Sequence, residues 1–313
     1  MRIRVKSYGG IIGFYLRKIF PNLCSNLYLS MQRKLSDSPN KRYMKMDESD
    51  KIVPLFVNIE TINKCNGFCS FCCCNVREDK RIRKVMDEDV FKKIIDDLSE
   101  INYNGVITLN INNEPFLDEK LIDKFRYVRK KIPNAYSYIY TNGSLLTLTK
   151  IDTIIKEHLL DELVVNNYSV KYKLNKPNKR LYNHLKTKNL DFKITINLRY
   201  CHEVLSNRAN TSPNKDGKKI IKSYCSIPFT DLNIFPNGNV GICCCDTKEI
   251  TNFGNVMDDN IIDIFNNNKF QNLRMKMING RDSNEFCKYC DFNDIGTRRK
   301  RIKKQIKNNR RGL

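Results

Sequence analysis

The stretch Cys65-Asn66-Gly67-Phe68-Cys69-Ser70-Phe71-Cys72 constrains this chain most, because it gathers three thiols just after an apolar, strand-like run, Pro54 to Ile59. Cysteines at x3 and x2 spacing can hold three corners of a 4Fe-4S cluster and leave the fourth iron open to an exchangeable ligand. Ordinary ferredoxin clusters use four thiolates. On the residues alone, the same thiols also suit a zinc knuckle or a redox pair, although zinc loops usually show CxxC pairs.

From Pro54 onward apolar runs alternate with amphipathic ones, which predicts an α/β protein built on parallel strands. Strands are expected near Pro54-Ile59, Val106-Asn110, Tyr136-Tyr140, Leu163-Val165 and Phe192-Asn197. Between the first two, a helix from Asp87 to Ile101 carries Val90, Ile94, Ile95 and Leu98 on one face, with Asp87 as its N-cap, and it ends before Gly105. Another, Glu119 to Lys131, stops before Pro133. Repeated βα units of barrel type place functional groups at the C-terminal ends of the strands, and the Cys65 loop falls at such an end.

With 313 residues, 41% of them hydrophobic, the chain can bury a substantial core. Its 13 cysteines sit partly in tight runs, Cys72-Cys73-Cys74 and Cys243-Cys244-Cys245. Vicinal thiols make poor structural staples, so metal ligation in a reducing cytoplasm is the better account. The formal charge of +22 points to nucleic acid, an anionic membrane surface or an acidic substrate. Asn, Lys and Ile are abundant throughout, as AT-rich coding would produce, so part of this charge is compositional. The rest concentrates in an acid-free tail, Arg298-Arg299-Lys300-Arg301-Ile302-Lys303-Lys304 with Lys307, Arg310 and Arg311. Such a tail is expected to be solvated, with RNA or membrane binding as its functional reading. The first residues superficially resemble a signal peptide, but Gly13 and Tyr15 break the apolar stretch Ile11 to Leu16 and it is too short to span a bilayer. A helix packed on the barrel or a frayed extension is expected there instead of a membrane-surface helix, and Ser36 to Lys51 reads as a linker.

The Cys65 loop resembles the CxxxCxφC signature of radical S-adenosylmethionine (radical SAM) enzymes, with Phe71 at the aromatic position. The resemblance implies that Cys65, Cys69 and Cys72 hold a 4Fe-4S cluster whose open iron chelates the amino and carboxylate groups of SAM. After the second strand, Asn112-Asn113-Glu114-Pro115 stands where the family commonly has GGEP. Glu114 would then supply the negative charge for the methionyl ammonium. Asparagine tolerates left-handed backbone better than most residues, so the loop is expected to survive the loss of both glycines. After the third strand, Tyr140-Thr141-Asn142-Gly143-Ser144-Leu145-Leu146 is similar to the family's TNG-x-LL segment, itself a turn leading into a helix. After the fourth strand, Asn166-Asn167 occupies the place where the family often binds the SAM ribose, and amides suit hydroxyl recognition.

Further on, Cys225, then Phe235-Pro236-Asn237-Gly238-Asn239-Val240-Gly241-Ile242-Cys243, then Cys287-x2-Cys290 resemble the start and end of a SPASM or twitch domain. Asn237-Gly238 reads as a hairpin turn with Cys243 returning on the second strand. Four thiolates from Cys225, Cys243, Cys287 and Cys290 would close an auxiliary 4Fe-4S cluster, a zinc site being the alternative. The implied organisation is an N-terminal extension and linker (1–50), a partial (β/α)6 radical SAM barrel (51–215), an auxiliary-cluster domain (216–297) and a basic tail (298–313).

In such enzymes an electron, delivered by a partner such as flavodoxin or ferredoxin, leads to a 5′-deoxyadenosyl radical that takes hydrogen from an unactivated C–H bond. The one-auxiliary-cluster layout most resembles aminocyclitol dehydrogenases, which implies oxidation of a carbinol on a sugar or aminocyclitol. Arg208, in Ser206-Asn207-Arg208-Ala209-Asn210, lies where a basic residue could meet the substrate hydroxyl. The alternative is epimerisation with a cysteine hydrogen donor. If side chains alternate along a strand and Cys243 faces the cluster, Cys244 points elsewhere and is the donor candidate. Peptide maturation is a third reading. An electron-transfer or basic RNA-binding protein is a fourth, which leaves Phe71, Glu114 and the open iron unexplained together.

Overall fold

A computed structural model describes residues 3–7, 10–20, 51–213, 221–223 and 225–292. The expected boundaries near 50, 215 and 297 fall at or inside the segments outside this set, as do the basic tail and nearly all of the linker.

Among the described residues, eight strands form one sheet in the order β1-β6-β5-β4-β3-β2-β7-β8. They are β1 (Arg4–Lys6), β2 (Phe56–Ile59), β3 (Val106–Thr108), β4 (Tyr136–Thr141), β5 (Glu162–Ser169), β6 (Lys193–Tyr200), β7 (Asp231–Ile234) and β8 (Val240–Gly241). β1 to β7 pair in parallel, and β8 turns back antiparallel on β7. β2 to β6 are the five expected strands. The sheet is extended at one edge by β1, absent from the sequence-based expectation, and at the other by the β7–β8 hairpin, whose turn was expected but whose place in this sheet was not. β1 pairs with β6, and β7 pairs with β2 in the register Phe56↔Asp231 to Ile59↔Ile234.

The helices are α1 (Gly10–Ile19), α2 (Glu88–Glu100), α3 (Leu121–Lys131), α4 (Leu148–Lys156), α5 (Lys176–Leu185), α6 (Ile227–Thr230), α7 (Ile261–Asn266) and α8 (Asn268–Ile278). Period-two alternation divides each strand between two environments. Ile107, Ile139, Leu163, Val165, Ile194 and Ile196 point to the helix side, where they join Ile94, Ile95, Leu98, Phe125, Val128, Ile151 and Leu181 in the main core. The opposite face of the curved sheet carries a small apolar floor of Phe56, Val106, Tyr136 and Tyr138. Above it, toward the C-terminal strand ends, the lining turns polar. Asp87 does occupy the N-cap position of α2, yet its side chain makes no capping hydrogen bond and pairs with Lys84 at 2.9 Å instead. The expected N-terminal helix is α1, held on the barrel by fully buried Phe14.

Candidate functional site

The loop after β2 brings Cys65, Cys69 and Cys72 into one another's electrostatic reach. Burial pushes the Cys65 thiol up to about 12 and also raises Cys69, each thiol adding to its neighbours' resistance to losing a proton. Thiolates crowded together without a counter-charge are unfavourable, and bound iron relieves that. The Gly67 N–H donates to Cys65 Sγ at 3.3 Å, and a methyl group at Gly67 would meet the same sulfur at 3.3 Å. Such N–H···S bonds are among the contacts that tune iron-sulfur ligands. Phe71 is buried with its ring centroid 5.6 Å from that of Tyr168 on β5.

The loop after β3 is built from asparagines, but neither Asn112 nor Asn113 has a positive φ, so left-handed tolerance is not what preserves it. Asn112 accepts its place through three features: its N–H donates to Glu60 Oε1 at 3.1 Å, its Nδ2 donates to the Cys244 carbonyl at 3.1 Å, and its buried Oδ1 has no protein partner. Asn113 Oδ1 accepts from the Ile111 N–H. Glu114, 1% exposed, is not a free charge. Its carboxylate accepts from Thr141 Oγ1 (2.6 Å), the Asn142 N–H (2.7 Å) and the Phe116 N–H (3.2 Å), tying this loop to the next one. Burial raises its pKa and these bonds oppose the rise. Thr141 thereby acts first as the hydroxyl that locks Glu114. Gly143, at φ +79°, is required where it stands, since a methyl there would sit 2.0 Å from Asn178 Oδ1.

The two asparagines on β5 separate cleanly. Asn166 faces the barrel interior and accepts from Asn197 Nδ2 at 3.1 Å, whereas Asn167, 1% exposed, points outward to bind the α5 start through the Asn175 N–H and Asn178 Nδ2. Asn166 has company that the motif reading missed. Asn58 donates to Asn233 Oδ1, Thr108 to Asn110 Oδ1, and Asn110 Oδ1 also accepts from the Tyr140 N–H. Asn233 Nδ2 and Thr195 Oγ1 are buried without a protein partner. The signal was in the alternation itself, because polar residues recur at the inward positions of β2, β3, β5, β6 and β7.

On the auxiliary side, Cys225, Cys243, Cys287 and Cys290 lie within mutual electrostatic reach, with the cation of buried Arg281 beside them. Burial pushes Cys225 up to about 11 and raises Cys287, while a hydrogen bond from Cys245 brings Cys290 down to about 6. The Cys245 N–H donates to Cys243 Sγ and the Phe292 N–H to Cys290 Sγ, both at 3.4 Å, the pattern seen at Cys65. This donor set fits a four-thiolate cluster. The hairpin turn is as expected, with Gly238 at φ +82°. Cys243 and Cys244, however, lie past the end of β8 in a turn, so strand alternation does not separate their side chains.

Between the two cysteine sets sits Arg208. It is half-buried, donates to the Cys244 carbonyl at 3.1 Å, and stands within electrostatic reach of Cys245, Cys244, Cys73 and Cys72. Hydrogen bonding from Cys74 lowers Cys73 to about 5, and Thr211 Oγ1 donates to Cys73 Sγ at 3.8 Å. The backbone here is unusual: Arg208, Ala209 and Asn210 have φ of 49°, 54° and 68°. Left-handed L-residues cost about 1–2 kcal/mol each, so something must hold the turn. Asp291 Oδ1 accepts from Ser206 Oγ (2.8 Å) and the Asn207 N–H (2.7 Å), while Asn207 Nδ2 donates to the Tyr289 carbonyl at 2.6 Å. The Asp291 N–H donates back to Asn207 Oδ1 at 3.1 Å. Arg208 is thus aimed by a clasp onto the Cys287–Cys290 knuckle.

Comparisons with known proteins agree with this layout. The radical SAM superfamily model matches residues 59–205, and the SPASM iron-sulfur cluster-binding domain model matches residues 225–291. The S-adenosyl-L-methionine-dependent 2-deoxy-scyllo-inosamine dehydrogenase of Niallia circulans is 26% identical over 249 residues, 79% of this chain and 96% of that protein. The crystal structure of BtrN in complex with AdoMet and 2-DOIA superposes with a TM-score of 0.66 at 25% identity, covering 79% of this chain and 95% of that one. Native anSMEcpe with bound AdoMet shares the fold at a TM-score of 0.50 and 12% identity, over 71% of this chain and 83% of that one. Two cysteine-lined loops on one parallel sheet, each matched by its own domain model, lead to one conclusion: the chain belongs to the radical SAM superfamily and carries a C-terminal SPASM-type iron-sulfur domain.

Proposed function

We propose that this radical SAM oxidoreductase oxidises a carbinol on a polyhydroxylated ring, an aminocyclitol or a related sugar. The observation that supports this most is the barrel lining. Asn58, Thr108, Asn110, Asn166, Asn197 and Asn233 line the inner face of the sheet with neutral amides and hydroxyls, with Asn233 Nδ2 and Thr195 Oγ1 unpaired. Such groups recognise hydroxyls by paired donors and acceptors. When bound, the SAM cluster and SAM supply the 5′-deoxyadenosyl radical that removes hydrogen from carbon, and the auxiliary cluster supplies an electron acceptor.

The chain's own residues would do the rest. Cys65, Cys69 and Cys72 hold the first cluster, and Cys225, Cys243, Cys287 and Cys290 hold the second. Glu114 orders the loop that faces the methionyl group, Phe71 packs the cluster loop against Tyr168, and Asn166 is placed for a ribose hydroxyl. Arg208 binds the substrate hydroxyl and favours its deprotonated form, the step that makes a carbon-centred radical beside it easier to oxidise. Epimerisation is the second reading, favoured by the thiols of Cys73 and Cys244 flanking Arg208, with Cys244 as donor. The described cysteines are all free and none of the described helices is long and apolar enough to cross a membrane. A reducing cytoplasm and a flavodoxin or ferredoxin donor suit this chemistry.

The test is incubation of the reconstituted, reduced enzyme with SAM and cyclitols, beginning with 2-deoxy-scyllo-inosamine, in deuterated water. Ketone and 5′-deoxyadenosine in equal amounts are expected, with no solvent deuterium on carbon. Inversion with one solvent deuterium at the reacting carbon would establish the epimerase instead.

A further inference from the structure

Because β1 runs parallel to β6, the chain leaves it at the C-terminal rim of the sheet, the rim that carries the cysteine and SAM loops. α1 lies across that rim. Phe14 packs edge-on against Tyr172, past the end of β5, and against Tyr200 at the end of β6, with centroids 5.3 and 5.9 Å apart. Arg17 pairs with Glu203 at 3.6 Å. These contacts use one side of the helix, and the other is apolar and open: Ile12 is 71% exposed, Ile19 64%, Ile11 55%, and Tyr15, Leu16 and Phe20 are also exposed. Residues 12, 16 and 19 form one stripe at helical spacing, with 11 and 15 beside it.

The neighbouring surface is cationic. Tyr172, which Phe14 touches, opens a segment whose Lys173, Lys176, Lys179 and Arg180 line a cavity of about 580 Å³ at the start of α5. The sequence has no acid between Glu162 and Asp191, nor any before Asp37. An outward apolar helix bordered by cations of one sign matches an anionic surface with an apolar interior. A second copy of this chain, itself at +22, would bring like charges together at the same face. We propose that α1 and the Lys173–Arg180 patch dock the enzyme on anionic lipid, with α1 lying in the interface and the active-site rim turned toward the bilayer.

The test is co-sedimentation of the full-length protein with vesicles of phosphatidylcholine plus phosphatidylglycerol, against phosphatidylcholine alone. Binding is expected to the mixed vesicles only and to weaken with salt. Ile12→Glu with Ile19→Glu should reduce partitioning at least tenfold, and Lys173→Gln with Lys176→Gln about fivefold per cation removed. Uncoupled SAM cleavage should persist in both variants, because neither pair belongs to the catalytic machinery, and this shows that they fold. Neutralising Arg298, Arg299, Lys300 and Arg301 to Gln should leave the Ile12/Ile19 dependence in place. Three outcomes would overturn the proposal: no vesicle binding, binding that follows the tail and ignores the helix variant, or a preference for single-stranded RNA that the helix variant does not change.

Discussion

Asn207→Ala separates the aiming of Arg208 from every other function of the chain. Asn207 is 0% exposed and its amide joins the Tyr289 carbonyl to the Asp291 N–H. Removing it leaves the buried Asp291 N–H unpaired at about 1–3 kcal/mol and takes about 1 kcal/mol of net hydrogen-bond energy from the part-buried Tyr289 carbonyl, or roughly 2–4 kcal/mol in all. The left-handed run at residues 208–210 stores roughly 3–6 kcal/mol. Since the two are comparable, the turn should relax once the clasp is cut, carrying Arg208 away from the Cys244 carbonyl. The Glu114 contacts with Thr141 and Asn142 lie apart from the clasp, and the turn meets the Cys65–Cys72 loop through Ser212 Oγ to the Phe71 carbonyl and Thr211 Oγ1 to Cys73 Sγ, contacts of residues beyond the left-handed run. In anaerobic assays, SAM cleavage without substrate should therefore continue while ketone formation falls at least tenfold. Equal loss of both activities, or unchanged ketone formation, would refute the reasoning. Ala209→Gly works in the opposite direction, as glycine adopts positive φ without steric cost. It should raise the melting temperature, with about 1 kcal/mol remaining after glycine's larger entropy loss.

Replacing Cys65, Cys69 and Cys72 together with alanine should leave iron equivalent to the auxiliary cluster, and unchanged iron content would remove them as ligands. Glu114→Ala should weaken SAM binding by at least tenfold, because Thr141 and Asn142 lose their common acceptor as well as the charge; normal affinity by calorimetry would contradict this. Arg281→Gln should lower the auxiliary cluster's reduction potential, since a buried cation stabilises the more negative, reduced state, and a redox titration followed by EPR would detect it. Burial raises the Glu60 pKa to about 8 despite its Arg81 partner. With the folded value above the unfolded one, Glu60's contribution to stability is complete at low pH and is lost as pH rises through about 8. Glu60→Gln should flatten that decline in urea unfolding.

How much of this was legible depends on what each residue's type records. β2 to β6 could be read because their outward residues alternate with inward ones and feed a core. β1 is Arg4-Val5-Lys6, exposed throughout, and acquires strand geometry only from β6, so no pattern announced it. β7 was recognisable as part of a hairpin, but its parallel partner 175 residues away, Phe56 opposite Asp231, was not. The two cysteine sets that the structure gathers could be read from spacing, since the geometry a metal site demands is short-range. Arg208 could be named but not explained, because the Asp291 clasp links positions that share no motif. The same limit hid the role of Glu114, whose partners lie in the following βα loop.

The pairing of β7 with β2 also bears on how the enzyme can change over time and with ligand. The Cys65 loop follows β2 and the Cys243 loop follows β8, with β7 paired to both in one ladder, and the Glu60 N–H continues the β2–β7 pairing by donating to the Ile234 carbonyl. Their separation is therefore written in backbone register and not in a side-chain interface that could slide. Register is quantised: a slip of one residue would turn every inward group of β7 outward. Such an arrangement allows little gradual drift. The auxiliary module can vary its loops freely, but it cannot hinge or be exchanged without unpairing the strand that leads into the first cluster.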